Sequence, residues 1–129
     1  MDQKICYYSP LGYGTSMCCS RIRVKLNGDV KDKQSHRAGI YQKASELINK
    51  RSYWNQINGT NALWYSIIDN GWIIGSSSNL KSDISAITSA QDTACPNNEN
   101  KYFYWNTNQY ILASTNSISI QCVTEKSEY

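Results

Sequence analysis

The sequence predicts an all-β chain, folded as an antiparallel β-sandwich or small barrel of about seven to nine short strands. Three observations carry that prediction. Between Gly39 and Cys122, short runs of aromatic and branched residues are separated by polar punctuation such as Asn58-Gly59, Asp69-Asn70-Gly71 and Cys95-Pro96. Residues Arg21 to Leu26 alternate strictly, with Ile22, Val24 and Leu26 on one face, which is the period of a half-buried strand. Ten Tyr and four Trp stand against a single Phe, so the packing units are large rings, roughly 150–250 Å² each, most of which carry a polar atom. The expected core is therefore edged with Tyr hydroxyls and Trp indoles that are hydrogen-bonded at its rim. A chain of 129 residues suits one domain and can bury a real core.

In chain order, residues 1–17 read as a flexible arm. Ser9-Pro10-Leu11-Gly12-Tyr13-Gly14 is turn material, and Tyr7, Tyr8 and Tyr13 decorate the segment. A single domain then spans 18–123. Arg21 to Leu26 is its first strand, ended by Asn27-Gly28-Asp29, and the charged residues 29–38 read as an exposed loop. Gly39 to Ile48 is open to two readings. Tyr41, Ala44, Leu47 and Ile48 fit a helical stripe, but the strand-rich surroundings favour a strand that turns at Asn49-Lys50 and returns through Tyr53-Trp54. Asn58-Gly59 suits a type I′ turn, whose two central residues both need positive φ. Ala62 to Ile68 reads as a buried strand, Asp69-Asn70-Gly71 as a hairpin and Trp72 to Gly75 as the return, which places Trp64 and Trp72 in the core. A polar loop leads to a short strand over 84–89, and Cys95-Pro96 opens another loop. Tyr102 to Trp105, Tyr110 to Ala113 and Ile118 to Cys122 are the last strands, and 124–129 is a frayed tail.

Five cysteines stand at positions 6, 18, 19, 95 and 122, with no Cys-x-x-Cys pair and with the lone His36 far from them in sequence. That spacing implies no metal site, and nothing in the chain implies a cofactor. Disulfides formed in an oxidising, extracellular or secretory compartment are the better account. Cys122 follows Ile118 and Ile120 on the inward face of the last strand, and Cys95 is its favoured partner. Cys19 pairs with Cys6 or Cys18 only if the N-terminus folds back; with Cys6 as the partner, Cys18 is a free or interchain thiol. The vicinal Cys18 and Cys19 are expected to point to opposite sides of the chain. Asn58-Gly59-Thr60 is a glycosylation acceptor triplet. There is no run long and apolar enough to span a membrane and no signal-peptide pattern behind Met1, so an extracellular chain would derive from a longer precursor.

Charge is uneven. Residues 1–51 hold ten Lys/Arg against four Asp/Glu, and 52–129 hold three against six. Arg21, Arg23, Lys25, Lys31, Lys33 and Arg37 make a basic run that could meet a polyanion, but Asp29 and Asp32 interrupt it and no nucleic-acid motif accompanies it. The reading is therefore a solvated face, with no nucleic-acid partner. Nucleophilic catalysis of the Ser-His-Asp or Cys-His type needs a histidine base, and His36 sits in a charged segment with nothing to orient it. No carboxylate pair stands out among Asp69, Asp83, Asp92 and Glu99, and Asp69 is explained by turn chemistry. Gly12-x-Gly14 opens no helix, so no phosphate loop is present. The expectation is a protein that is not an enzyme.

The series Cys19-Ser-Arg-Ile-Arg-Val, Gly39-Ile-Tyr41, Tyr53-Trp54, Leu63-Trp64-Tyr65, Trp72-Ile73-Ile74-Gly75, Cys95-Pro96, Tyr104-Trp105 and Ile118-Ser-Ile-Gln-Cys122 resembles a small, disulfide-bearing β module that recurs in extracellular multidomain animal proteins. The resemblance covers about residues 19–122, leaves Cys6 and Cys18 outside, and implies a structural or binding module without active-site residues. Two functions follow as expectations. The first is a structural or adhesive module that assembles with a protein partner or with itself. The alternative is a carbohydrate-binding module, in which exposed rings stack on sugars while amides bond their hydroxyls. Its patch would be Tyr102, Tyr104, Trp105, Asn106, Asn108, Gln109 and Tyr110, and it requires at least two of those rings on one wet face.

Overall fold

A computed structural model describes residues 18–80, 82, 84–89, 91–98, 101–114 and 116–123. The expected arm with Cys6, Tyr7, Tyr8 and Tyr13, and the expected tail, lie outside the described residues. The described chain is all-β, with one nine-stranded antiparallel sheet in the order β8-β7-β6-β5-β4-β3-β2-β1-β9. The strands are β1 (Arg21–Leu26), β2 (Gly39–Ile48), β3 (Arg51–Gln56), β4 (Asn61–Ser66), β5 (Gly71–Ser76), β6 (Ile87–Thr88), β7 (Phe103–Trp105), β8 (Tyr110–Leu112) and β9 (Ile118–Cys122). From β2 to β8 each strand pairs with the next in a meander, and β9 returns to the free side of β1.

That order forces the sheet to curl. Nine strands laid flat would hold the two edges about 38 Å apart at about 4.8 Å per spacing. The chain from Leu112 to Ile118 reaches only about 20 Å even when extended. The edges β8 and β9 must therefore approach each other, and the sheet becomes an open barrel. Of the two predicted architectures this is the barrel rather than the sandwich.

One core fills the concave side. It draws Ile22, Val24 and Leu26 from β1, Tyr41 from β2, Trp54 from β3, Trp72 and Ile74 from β5, and Tyr104 and Ile120 from the later strands. Trp72 is its hub, with edge-on contacts to Trp54 at 5.8 Å and to Tyr65 at 5.5 Å between ring centroids. A smaller cluster of Ala62, Trp64 and Ile73 lies on the convex side under Ile48, Tyr53 and Leu80. Both faces of β4 are thus covered, and all six of its residues are buried. This is why its sequence runs continuously apolar rather than alternating.

The polar atoms of the rings are satisfied as expected. Trp54 Nε1 donates to the Cys19 carbonyl and Trp72 Nε1 to the Thr93 carbonyl, both at 3.0 Å. The Tyr41, Tyr65 and Tyr102 hydroxyls donate to Arg37 O, Asn70 Oδ1 and Pro96 O. Burial pushes the Tyr41 phenol well above the usual range of tyrosine.

Several expectations are corrected. Residues 29–38 are not a loop: α1 (Gly28–Gln34) and a 3-10 turn (Ser35–Arg37) occupy them. Val30 and Gln34, four residues apart, share the buried face, while Asp29, Lys31, Asp32 and Lys33 face water. A helix with one apolar residue carries no readable periodicity. Gly28, at φ 65°, makes the reversal from β1 into α1. Ile67 and Ile68, expected in a buried strand, are 65% and 79% exposed in the turn after β4. The 84–89 strand shrinks to Ile87–Thr88. At Asn58-Gly59 only Asn58 takes positive φ, so a four-residue loop replaces the type I′ turn, and Asn58 is exposed there. The two-residue turn with both central φ positive is instead Asn49-Lys50, closed by the Ile48–Arg51 pair.

The disulfide pairing also differs. Cys18 is bonded to Cys95 and Cys19 to Cys122. Cys18 is therefore not a free or interchain thiol, Cys95 is not the partner of Cys122, and Cys19 does not pair with Cys6, which lies outside the described residues. The vicinal pair does diverge to two partners. Its backbone is held by hydrogen bonds from Lys43 Nζ to Cys18 O and from Trp54 Nε1 to Cys19 O. Cys19 precedes β1 beside β9, where Cys122 ends. Cys18 faces the core with Cys95.

Candidate ligand-binding pocket

The expected ring patch divides in two. Tyr102 and Tyr104 point into the core and are buried. Trp105 and Tyr110 point the other way, are 38% and 43% exposed, and sit directly opposite each other on β7 and β8. Their rings meet edge-on, with centroids 5.1 Å apart. Two aromatic side chains therefore share one wet face. The rest of the patch is dispersed. Asn106 donates to the Asp29 carboxylate and tethers α1, while Asn108 and Gln109 are exposed in the β7–β8 turn outside the pocket lining. The Tyr104 hydroxyl also donates to Asp29, and that hydrogen bond, more than burial, raises its pKa.

A pocket of about 310 Å³ opens beside Trp105 and Tyr110, near the lower end of the roughly 300–1,000 Å³ typical of small-molecule sites. Its floor follows from register. Ile74, Ile87, Tyr104 and Ile111 pair across β5 to β8 on the concave side. One residue along, and so on the opposite face, the row reads Gly75, Ala86, Trp105, Tyr110. Two residues with almost no side chain beside two large rings leave a recess. Gly75 cannot be larger without strain, because a Cβ there would stand 2.8 Å from the Ile84 carbonyl oxygen. Tyr110 is fixed from behind, its hydroxyl 2.8 Å from both the carbonyl and the hydroxyl oxygen of Ser85.

The opposite wall comes from α1 and the 3-10 turn. Gln34 Nε2 donates to the Trp105 carbonyl at 2.9 Å and Gln34 Oε1 accepts from Arg37 Nε at 3.2 Å. Arg37 Nη1 donates to Asn61 Oδ1. Asn61 Nδ2 donates in turn to Gln56 Oε1 and to the His36 carbonyl. Gly59 permits this network, since a Cβ there would fall 2.1 Å from Gln56 Oε1. The chain of bonds locks helix, turn and β7 into one frame, and among the described residues the side chains that hold the Arg37 guanidinium, Gln34 and Asn61, are neutral. Burial lowers its pKa, and burial followed by the neighbouring Arg37 charge lowers that of His36.

Sequence reasoning identified Trp105 and Tyr110 but not Gln34, Asn61, Asn79 or Ser85, and it read Arg37 only as one member of a solvated basic run. The signal that would have found Gln34 and Arg37 is α1 with its adjoining 3-10 turn, which the sequence does not announce; Asn61, Asn79 and Ser85 join them only through the fold. Among the described residues no group of three or more His, Cys, Asp or Glu could hold a metal ion, and no helix is long and apolar enough to cross a membrane. Comparison with known proteins gives no matching family model, no matching curated protein and no matching solved structure.

Proposed function

We propose that this protein is a non-enzymatic carbohydrate-binding module of the extracellular space. The observation that carries the reading is the Trp105–Tyr110 pair, exposed side by side at the mouth of a small recess floored by Gly75 and Ala86. Aromatic faces take the apolar C–H faces of a sugar ring, while the surrounding Asn79 and Ser85 supply the directional hydrogen bonds that fix orientation. The frame is already set by the Gln34–Arg37–Asn61 bonds, so little ordering entropy opposes binding. Two intrachain disulfides are compatible with an oxidising compartment.

The assembly reading keeps its support from β8 and β9, which among the described residues are the edges of the sheet and could take an added strand. It loses Cys18, which is taken up within the chain. A printed oligosaccharide array, probed with the wild-type chain and with Trp105→Ala, tests the carbohydrate reading. Binding to a subset of glycans by the wild type, abolished in the variant at an unchanged melting temperature, is the expected result. A blank array, or equal binding by both proteins, would reject it.

A further inference from the structure

The carbohydrate reading leaves one feature of the pocket unused. Among the described residues that line the pocket, Arg37 is the one cation and there is no carboxylate. Two of the five N–H donors of a guanidinium go to Gln34 Oε1 and Asn61 Oδ1, which leaves three. Both acceptors are neutral amides, so the charge is oriented without being neutralised. Burial at this position disfavours the charged form, an arrangement costly to keep unless an anion completes it. A solvated surface arginine would show none of this: it would point outward and need no two-sided clamp. The remaining donors lie on Nη1 and Nη2, where they can make charge-assisted bonds to a carboxylate.

We infer that the pocket takes a sugar bearing a carboxylate, with the acid group on Arg37 and the ring against Trp105. The inference rests on the carbohydrate reading and narrows it to uronic-type acidic sugars. The neutral clamp is its structural basis. Gln34 links Arg37 directly to the Trp105 backbone, so the cation and the stacking ring are held at a fixed separation. One ligand carrying both groups meets both at once, whereas acetate alone engages only the cation.

The test is calorimetric titration of the full chain with a glucuronate-terminated disaccharide, its carboxyl-reduced neutral counterpart and acetate. The wild type is expected to bind the acidic sugar about tenfold or more tighter than the neutral one, in keeping with a charge-assisted hydrogen-bond pair, and acetate more weakly than either. Arg37→Gln should bring the two sugars to within about threefold of each other, and Arg37→Lys should restore part of the preference. Trp105→Ala should weaken both sugars together. If Arg37→Gln does not fold, the wild-type comparison of the two sugars decides alone. Equal wild-type affinity for the acidic and neutral sugars, or a preference that survives Arg37→Gln, overturns the inference and leaves the carbohydrate reading standing. Binding of neither sugar overturns both.

Discussion

Strands β2 to β5 run from six to ten residues, whereas β6, β7 and β8 have only two or three. The long-strand region holds Trp54, Trp64 and Trp72, all at 1% exposure or less. The short-strand region holds the exposed Trp105 and Tyr110. The same residue types serve opposite ends in the two regions, and the difference is register rather than composition. Tyr104 and Trp105 are neighbours in sequence, yet one joins the core and the other the pocket, because successive strand residues face opposite sides. The long-strand half thus buries its rings, while the short strands, with Gly75 at the end of the row, leave a recess on the sheet face.

The comparison breaks most visibly at the tryptophans. Trp72→Ala should cost about 3–5 kcal/mol of unfolding free energy, since it removes the hub touching Trp54 and Tyr65. Trp105→Ala, by contrast, should stay within about 1 kcal/mol; denaturant titration of both measures the contrast, and a large loss for Trp105→Ala would merge the two regions. Next is the bridge that ties them. Replacing Cys18 and Cys95 together with Ser should cost about 2–4 kcal/mol, and hydrogen exchange should report earlier opening of β6 to β8 than of β2 to β5. Uniform loss of protection would mean that the sheet opens as one unit.

Gly75→Ala sharpens the comparison at the boundary. The added methyl meets the Ile84 carbonyl, so a loss of about 1–3 kcal/mol with displaced Ile84 amide signals is expected. The smallest effect is at Tyr41. Its phenol ionises at higher pH in the folded chain than the ordinary value of 10.0, so its contribution is intact below about pH 10 and is lost as pH rises beyond that. Tyr41→Phe should flatten the decline of stability at alkaline pH, and an identical profile in the variant would contradict the assignment.

Much of the long-strand half was legible in the sequence, because burial of one face writes itself as alternation in Arg21–Leu26 and burial of both faces as the run Ala62–Tyr65. The strand over Gly39–Ile48 and its turn at Asn49-Lys50 were legible only from their strand-rich surroundings, since the segment itself also fits a helical stripe and its burial does not alternate. The α1 helix was not, since Val30 is its one buried apolar residue and the period of a helix needs more. Disulfide pairing was not, because it depends on how the curl brings the segment before β1 against Cys95 and the end of β9. The candidate site was half legible. Its rings lie on strands, where pattern is visible, and its polar wall comes from α1 and the adjoining turn across the sheet, where charge alone suggested a solvated loop.

The central claim is that one tryptophan of four faces a ligand while the other three hold the fold. The most direct measurement follows the four indole N–H signals of nitrogen-labelled protein during titration with a neutral and then a glucuronate-bearing oligosaccharide. The account predicts that the Trp105 signal shifts saturably and most strongly with at least one of them, while the signals of Trp54 and Trp72, bonded to Cys19 O and Thr93 O, hold their positions. Four unmoved signals with both sugars, or shifts confined to the buried tryptophans, would contradict it.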